Sequence, residues 1–280
     1  MNTTRPKLIE LCAFSFVILA ACSVAHADLV AWYKFDDGSG LTAADSSGAG
    51  HDGTLNGTAP TFNAAGGAFG GYLSLPGVDE FVSTPDDPDF QFEMGTSWAA
   101  SVWYRRDGVE NDQGLITKGY HDGSRDPNGY WQLQTRAGGF TLDSRCCSGG
   151  SPRSRLDGGG NHGNNEWNHF VVTRDVANDE IRLYVNGVRT VTHSPLAGRG
   201  DWAMGANPDP LVIGNHFNRF TVGDFDDIGI WKGESLDDNQ VGMIFNGGVA
   251  ALVVPEPSTL LLAALGLLAL LGFIRRRRRK

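Results

Sequence analysis

The chain has 280 residues, of which 38 are glycine, and its 23 basic and 32 acidic residues give a net charge of −9. Eight of the basic residues lie at the two ends, so the stretch between the ends carries a net charge of about −16, which disfavours nucleic acid as a partner. This stretch of roughly 230 residues suffices for one large domain or two small ones, and its many glycines predict short strands joined by turns.

Residues 1–27 have the three parts of a secretion signal. Arg5 and Lys7 supply a positive start, an apolar run covers residues 11–21, and residues 25–27 (Ala-His-Ala) have the small-x-small form that signal peptidase cleaves. The apolar run is shorter than the about 20 residues that a membrane-spanning helix needs. We therefore expect a signal helix that directs export and is removed by signal peptidase.

A second interpretation of this segment stays open. Residues 19–22 (Leu-Ala-Ala-Cys) resemble the cleavage site of bacterial lipoproteins, and cleavage there would leave Cys22 lipidated at the new N-terminus. Cleavage after Ala27 agrees better with the globular pattern, which begins at Leu29.

Between the ends, apolar and polar residues alternate in short runs that are bounded by turn residues. Trp98, Ala100, Val102 and Tyr104 share one face, as in a strand with one side in a core. The predicted strands are residues 30–35, 72–75, 80–83, 98–105, 115–118, 130–135, 140–143, 167–174, 180–185, 188–192, 211–214 and 225–231.

Two local signals complete this pattern. Asn186 and Gly187 predict a two-residue hairpin turn between the strands on either side of them. One short helix is predicted at residues 236–245, with Ser235 as its N-cap and Asp238 three residues further on. The chain therefore reads as all-β, with a single helix late in the domain.

Cys146 and Cys147 are adjacent in a loop with serine and glycine neighbours. Outside the cytoplasm such thiols should oxidise. Neighbouring Cα atoms lie about 3.8 Å apart, whereas ordinary disulfides prefer about 5.5 Å. The pair could form a strained ring, link two chains or stay reduced, and the spacing does not match a zinc site.

The C-terminal part of the chain has three segments. Residues 251–259 form a linker in which Pro255 and Pro257 flank Glu256 and hold the backbone extended. Residues 260–274 are uncharged and predict a transmembrane helix of about 22 Å, somewhat shorter than the bilayer core of about 30 Å. Snorkelling arginines can make up the difference, and the six cations of residues 275–280 place the C-terminus in the cytoplasm and the domain outside.

This C-terminal order resembles the PEP-CTERM sorting signal on exported proteins of Gram-negative bacteria. The matching elements are Pro255, Glu256 and Pro257, the apolar helix, and the arginine cluster. The resemblance implies a second partner, an exosortase, which is a membrane cysteine protease that processes the tail at or near this motif. The alternative is an ordinary membrane anchor that is never cleaved.

The domain itself resembles the LamG-like jelly roll of the concanavalin A-like lectin/glucanase superfamily. The resemblance runs over residues 28–248, and we set the domain at residues 28–250. It implies a two-sheet antiparallel jelly-roll sandwich. Its motifs are residues 32–40, 45–48, 52–55, 166–170, 183–187 and 225–231, in this order.

Asp226 is the sharpest candidate for a metal ligand. It shares a strand face with Ile228 and Ile230, so it points into the core if the isoleucines do. A buried carboxylate must be paired, hydrogen-bonded or bound to metal. The resemblance implies a structural calcium near this strand and the N-terminal one, with Asp36 and Asp45 as further ligands, unless Asp226 only accepts loop N–H groups.

Aromatic residues supply the hypothesis of ligand binding. Trp131 and Trp202 lie in or beside loops rich in glycine, asparagine and arginine, where aromatic rings can serve as carbohydrate platforms. The alternative is that they pack inside the protein.

We do not expect an enzyme. A glycosidase needs two carboxylates about 5–10 Å apart. None of the glutamates falls in the Glu-x-Asp-x-(x)-Glu pattern of the glucanase branch, and Gly-x-Ser-x-Gly is absent from the sequence. The favoured function is an exported surface or matrix protein that binds an extracellular polysaccharide or a surface protein. The alternatives are a secreted glycan hydrolase and a structural surface domain without a ligand.

Overall fold

The computed structural model describes residues 28–108, 112–119, 129–136, 139–146, 154–159, 163–194 and 206–253. Within these ranges the chain forms strands and one α-helix, α1 (Asp238–Gly247). The strands are β1 (Asp28–Tyr33), β2 (Thr42–Ala43), β3 (Gly53–Asn56), β4 (Thr61–Asn63), β5 (Tyr72–Leu75), β6 (Phe81–Thr84), β7 (Trp98–Arg106), β8 (Gln113–Lys118), β9 (Gly129–Arg136), β10 (Gly139–Cys146), β11 (Ser154–Gly159), β12 (Trp167–Asp175), β13 (Glu180–Val185), β14 (Val188–His193), β15 (Leu211–Ile213), β16 (Asn215–His216), β17 (Arg219–Phe220) and β18 (Gly223–Lys232).

The strands form two eight-stranded antiparallel sheets. Sheet 1 has the order β14-β13-β12-β7-β18-β5-β4, with β1 also paired to β18, and sheet 2 has the order β11-β10-β9-β8-β15-β6-β3-β2. β16 and β17 make a small separate hairpin. This architecture confirms the predicted all-β sandwich. Among the described residues, no helix is long and apolar enough to span a membrane.

Most of the predicted strands are present, within a few residues at each end. The prediction for residues 180–185 matches β13, and β13 pairs with β12 as one arm of a hairpin. Asn186 and Gly187 both have positive φ, as the two-residue turn requires. The two strands on either side of Pro76 lie in different sheets, since β5 belongs to sheet 1 and β6 to sheet 2.

The core lies between the sheets and contains the inward-facing residues of both. Trp98, Ala100, Val102 and Tyr104 all belong to it, as their alternation predicted. Trp131 also lies here, 1% exposed. Its ring packs against Phe92 and Trp98, with centroids 5.2 and 5.3 Å apart.

The prediction that Trp131 contacts a ligand is therefore wrong, because the side chain is buried in the core. The residue lies in β9, where it alternates with polar residues and takes an inward position. Aromatic pairs of this kind contribute about 0.5–1.5 kcal/mol to stability beyond the area that they bury.

The outer face of sheet 1 is covered by the C-terminal part of the domain. Val241 and Ile244 of α1 form a second apolar cluster with Trp32 and Trp231 of the sheet. The N-cap of α1 is Asp237 rather than Ser235, and Asp237 forms a capping box with Gln240. The helix therefore begins two residues later than the sequence predicted.

Candidate functional site

A β-bulge decides where the acidic residues of β18 point. The pairing of β18 with β7 shifts between Asp226 and Gly229, and Asp227 has a φ of 45°. Phe225 and Ile228 therefore both face the core, as Ile230 does. The prediction that Asp226 shares the face of Ile228 is wrong, because the bulge interrupts the alternation.

Asp226 is nevertheless fully buried, against a glycine-rich loop. Its Oδ2 accepts a hydrogen bond of 2.8 Å from the Phe69 N–H, whereas its Oδ1 has no hydrogen-bond partner within the ranges that the structure describes. A Cβ at Gly67 would come within 2.6 Å of Oδ2, so the close approach of the loop depends on glycine there. Asp36 accepts a hydrogen bond of 2.6 Å from Gly71 N–H in the same loop.

The structure thus brings two of the three predicted metal ligands, Asp36 and Asp226, to one loop. Burial raises the pKa of Asp226 to about 7, and the charges of Asp227 and Asp36 act in the same direction. The unpartnered oxygen of Asp226 and the carboxylate of Asp36 are oxygen donors, the ligand type that calcium prefers. The chemistry of these two residues therefore agrees with the ion that the resemblance implied.

Asp45 and Asp227 are occupied in other ways. The Asp45 carboxylate accepts five hydrogen bonds, from the N–H groups of Trp32, Ser47, Gly50 and His51 and from the Ser47 hydroxyl. These hydrogen bonds occupy the lone pairs of the carboxylate, so Asp45 stabilises the conformation of its own loop. Asp227 accepts hydrogen bonds of 2.7 Å from Trp32 Nε1 and from the Val249 N–H.

A second cluster of polar side chains lies on the outer face of sheet 2. In β9, Trp131 and Leu133 face the core, so Gln132 and Gln134 face outward. Register places Gln132 between Thr117 of β8 and Asp143 of β10. We call Thr117, Gln132, Gln134 and Asp143 the polar row.

Hydrogen bonds join the members of the polar row only in part. Gln132 Nε2 donates to Gln134 Oε1 and Asp143 Oδ2, at 3.2 and 3.3 Å. Thr117 Oγ1, Gln132 Oε1 and Gln134 Nε2 have no hydrogen-bond partner in the described part of the chain, although all three side chains are at most 1% exposed. Each unsatisfied buried polar group costs about 1–3 kcal/mol, so the row has unused capacity for hydrogen bonding.

The same face continues into an open cleft of about 250 Å³, which Arg136, Thr141, Arg155 and Asp157 help to line. Arg155 links the cleft to the polar row, because its Nη2 lies 3.2 Å from Asp143 Oδ2. The Arg155 Nε is buried, and none of the described residues accepts a hydrogen bond from it. We call the polar row and the neighbouring cleft together the groove.

His216 closes the end of the groove next to β8. A Cβ at Gly114 would lie 2.7 Å from His216 Cβ and Nδ1, so glycine allows the imidazole to rest on the sheet. Burial lowers the pKa of His216 to about 4, and Arg219 acts in the same direction. The ring is therefore neutral at pH 7.

A larger cavity of about 520 Å³ lies at the end of sheet 1, lined among others by Arg105 and Asp224. The Arg105 guanidinium lies over the rings of both Tyr72 and Trp167, at 4.8 and 4.7 Å, and forms an ion pair of 2.8 Å with Asp224. Arg105 and Asp224 of this cavity are thus paired with each other.

Several predicted site residues fall outside the described ranges. These are Trp202, Cys147, the side chain of Cys146, the motif Pro255, Glu256 and Pro257, residues 1–27 and residues 260–280. The groove residues were not predicted, although Gln132 and Gln134 alternate with apolar residues in a predicted strand. That alternation is the signal that could have found them.

Comparison with known proteins identifies the class of this fold. Residues 76–242 match the family model of the concanavalin A-like lectin/glucanases superfamily, and the chain belongs to that superfamily. Residues 253–279 match the PEP-CTERM protein-sorting motif, which confirms the resemblance of the C-terminal segment to that signal. The motif implies export, association with the cell envelope and exosortase-type processing. A search of curated proteins found no match to the chain.

Solved structures share the fold at low sequence identity. One is the binding domain of Paraclostridial Mosquitocidal Protein 1, with 15% identity over 78% of this chain and 52% of that one, and a TM-score of 0.60. The receptor binding domain of botulinum neurotoxin C/D mosaic serotype has 13% identity over 79% and 51%, with a TM-score of 0.56. This chain therefore spans about half the length of these toxin domains.

A third structure matches over nearly its whole length. It is domain 4 of AbnA, a GH43 extracellular arabinanase from Geobacillus stearothermophilus, in complex with arabinotriose. Identity is 22%, the alignment covers 78% of this chain and 98% of that one, and the TM-score is 0.54. At these identities the likeness concerns the fold alone.

The buried position of Asp226 predicts an unusual dependence of stability on pH. Its ordinary pKa of 3.8 is raised to about 7 in the folded chain. The folded chain therefore keeps a proton that the unfolded chain releases, and the free energy of unfolding falls as pH rises from about 4 to 7. Asp226→Asn removes this loss, so in EDTA it should gain about 1–3 kcal/mol relative to wild type between pH 5 and pH 8, measured by urea denaturation.

Asp45→Asn is the matched control, because its pKa shift has the opposite sign. Burial alone would raise the pKa of Asp45, but hydrogen bonds from Ser47, His51 and Trp32 outweigh it and lower the pKa. Asp45→Asn should therefore be destabilised at pH 7, and this deficit should shrink as pH falls below the ordinary value. Parallel pH profiles for wild type and Asp226→Asn would contradict the assignment.

Proposed function

We propose that this exported surface protein binds a neutral glycan chain through the groove on sheet 2 and does not cleave it. The observation that carries the proposal is the polar row, in which three buried polar atoms lack partners beside an open cleft. Sugar hydroxyls both donate and accept, so one glycan can complete an amide oxygen, an amide N–H and a threonine hydroxyl together.

Charge supports a neutral ligand over an acidic one. The exported stretch carries a net charge of about −16, which repels acidic polymers at long range. Within the groove, Arg155 is paired with Asp143, so that cation is already compensated. The remaining donors and acceptors belong mostly to amides and hydroxyls, which discriminate by hydrogen bonding.

The structural neighbours support a binding role by analogy. The arabinanase domain was solved with arabinotriose, and the toxin structures are described as binding domains. A neutral oligosaccharide is therefore the first ligand class to test on this chain. If no oligosaccharide binds, the remaining alternatives are a surface protein as the ligand and no ligand at all.

One observation keeps a second function, glycan hydrolysis, in view. Thr141 pairs with Asp157 and Asp143 pairs with Arg155, so Asp143 and Asp157 are diagonal neighbours on the outer face. Such neighbours lie about 7–8 Å apart, within the range of inverting glycosidases. Asp143, however, accepts hydrogen bonds from Tyr130, Gln132 and Arg155, and Asp157 accepts one from Thr141. These contacts support binding over acid–base chemistry.

The test of the groove is Thr117→Val, which removes a hydroxyl without changing the shape of the side chain. Because this hydroxyl has no partner, the free energy of unfolding should stay equal or rise slightly. Affinity for a neutral oligosaccharide, found with a panel that includes arabino-oligosaccharides, should fall roughly 2–12-fold, the equivalent of one hydrogen bond of about 0.5–1.5 kcal/mol. Calorimetry measures the affinity and urea denaturation the stability.

Thr192→Val, an exposed threonine of β14 in sheet 1, is the matched control and should leave affinity unchanged. Equal affinity of wild type and Thr117→Val would move the binding site away from the groove. Release of reducing sugar from the same panel by wild type, abolished in Asp143→Asn, would favour the hydrolase instead.

We propose further that calcium binds at Asp36 and Asp226 and stabilises the loop between β4 and β5. In support, the orphaned Oδ1 of Asp226 is an acceptor in an acidic surrounding. Calcium should raise the melting temperature of wild type at pH 8, and Asp36→Asn or Asp226→Asn should abolish this shift. Glu93 is an exposed carboxylate, so Glu93→Gln is the control. The absence of a shift for wild type would contradict the proposal that calcium binds here.

We propose that the exported chain loses both of its ends. The signal would be cleaved after Ala27, and the exosortase would remove the tail near Pro255, Glu256 and Pro257, which transfers the domain from the membrane to the surface or matrix. Intact mass of the protein from cells and medium should then fit a chain from Asp28 to this motif. A chain that still carries residues 260–280 in the membrane fraction would make the tail a permanent anchor, and a lipid on Cys22 would favour the lipoprotein interpretation.

A further inference from the structure

Three side chains with metal-ligating atoms converge at a place that neither the groove nor the proposed calcium site includes. His51 lies just before β3, and Asp87 and Asp89 lie at the 3-10 turn Pro88–Phe90 that follows β6. His51 Nε2 is 3.1 Å from Asp89 Oδ2 and 3.9 Å from Asp87 Oδ1. One ligand atom from each residue lies within 4.8 Å of both others.

The histidine is held in this position from several sides. The backbone N–H of His51 donates to Asp45 Oδ2 at 2.9 Å, and its backbone carbonyl accepts from the Tyr33 hydroxyl at 2.8 Å. Its ring packs on Phe90 with centroids 4.9 Å apart. The imidazole is therefore placed by the protein before any ion binds, which reduces the entropy that binding would cost.

The cluster is more exposed on its aspartate side than on its histidine side, which suits an ion that also binds water molecules. The His51 side chain is 12% exposed, whereas those of Asp87 and Asp89 are 39% and 41% exposed. The two carboxylates thus form an open side that water can reach. Asp87 also accepts a hydrogen bond of 2.9 Å from the Asp89 N–H, which fixes one carboxylate relative to the other.

We propose that His51, Asp87 and Asp89 bind a divalent transition-metal ion of the zinc class. With metal–ligand bonds of about 2.0–2.2 Å, tetrahedral or octahedral ligands lie roughly 3–3.6 Å apart. The observed separations of 3.1 and 3.9 Å need only small side-chain rotations to meet this geometry. Imidazole nitrogen with carboxylate oxygen suits zinc, whereas calcium prefers oxygen ligands alone.

The ion would join two segments that are distant in sequence. It would connect the loop that ends at His51 with the segment between β6 and β7, and so stabilise one end of the sandwich. Two cations lie near the cluster: the Lys232 ammonium donates to the Pro88 carbonyl, and Lys118 forms an ion pair with Asp86. Asp45 is a further acid, which accepts a hydrogen bond from the backbone N–H of His51. Without an ion the same atoms form a histidine–aspartate hydrogen bond, which is the alternative that the experiment must separate.

The test is zinc titration of the exported protein without a polyhistidine tag, at pH 7.5, against a chromophoric chelator. Thiols are alkylated in every sample so that Cys146 and Cys147 cannot contribute. Loss of an outer-shell partner alone weakens metal binding about 10–100-fold, so His51→Gln and Asp89→Asn should each weaken it by at least tenfold. Glu93→Gln should bind one zinc per chain as wild type does.

Melting temperatures without metal show whether each variant is folded. If His51→Gln fails to fold, the exposed Asp89→Asn alone decides the question. Zinc should raise the melting temperature of wild type and of Glu93→Gln but not of Asp89→Asn, and excess calcium should not displace it. No zinc binding by wild type, or equal binding by Asp89→Asn, overturns the proposal and leaves the histidine–aspartate hydrogen bond.

Discussion

The constraint on which the structure depends is the alternation of side chains across sheet 2. Each strand that gives Trp131, Leu133 or Leu142 to the core must present its intervening residues on the other side. In most exposed sheets water would satisfy those residues. Here Thr117, Gln132 and Gln134 are withdrawn from solvent, and three of their polar atoms have no hydrogen-bond partner among the described residues. A glycan that completes them would convert an unfavourable feature of the free chain into binding free energy.

Much of this fold follows from local sequence, and the parts that do not follow are instructive. The strand Glu180–Val185 and the turn at Asn186 and Gly187 are fixed by short-range patterns, so sequence predicts them well. The bulge in β18 is a property of strand pairing, and nothing in the order of Asp226, Asp227 and Ile228 distinguishes it from regular alternation. The sequence therefore predicted that Asp226 is buried, as it is, but assigned its side chain to the wrong face of the strand.

The candidate site shows the same division between local and long-range information. Alternation in β9 indicates that Gln132 and Gln134 face outward, but the register that sets Gln132 between Thr117 and Asp143 joins three strands. The chemical type of Trp131 predicts a sugar platform near loops, whereas its inward position depends on the same register. Among the described residues, the unpartnered polar atoms on this strand belong to its glutamine neighbours.

The acidic residues of the domain are divided among separate roles. Asp36 and Asp226 share the glycine-rich loop, Asp45 organises its own turn, and Asp87 and Asp89 face His51. In the groove on sheet 2, Asp143 forms an ion pair with Arg155, which agrees with a neutral ligand there.

The most direct measurement is a crystal structure of the domain with a bound neutral oligosaccharide. We expect sugar hydroxyls at about 2.7–3.2 Å from Thr117 Oγ1, Gln132 Oε1 and Gln134 Nε2. A sugar bound in the cavity beside Arg105 and Asp224, with the polar row unchanged, would contradict it.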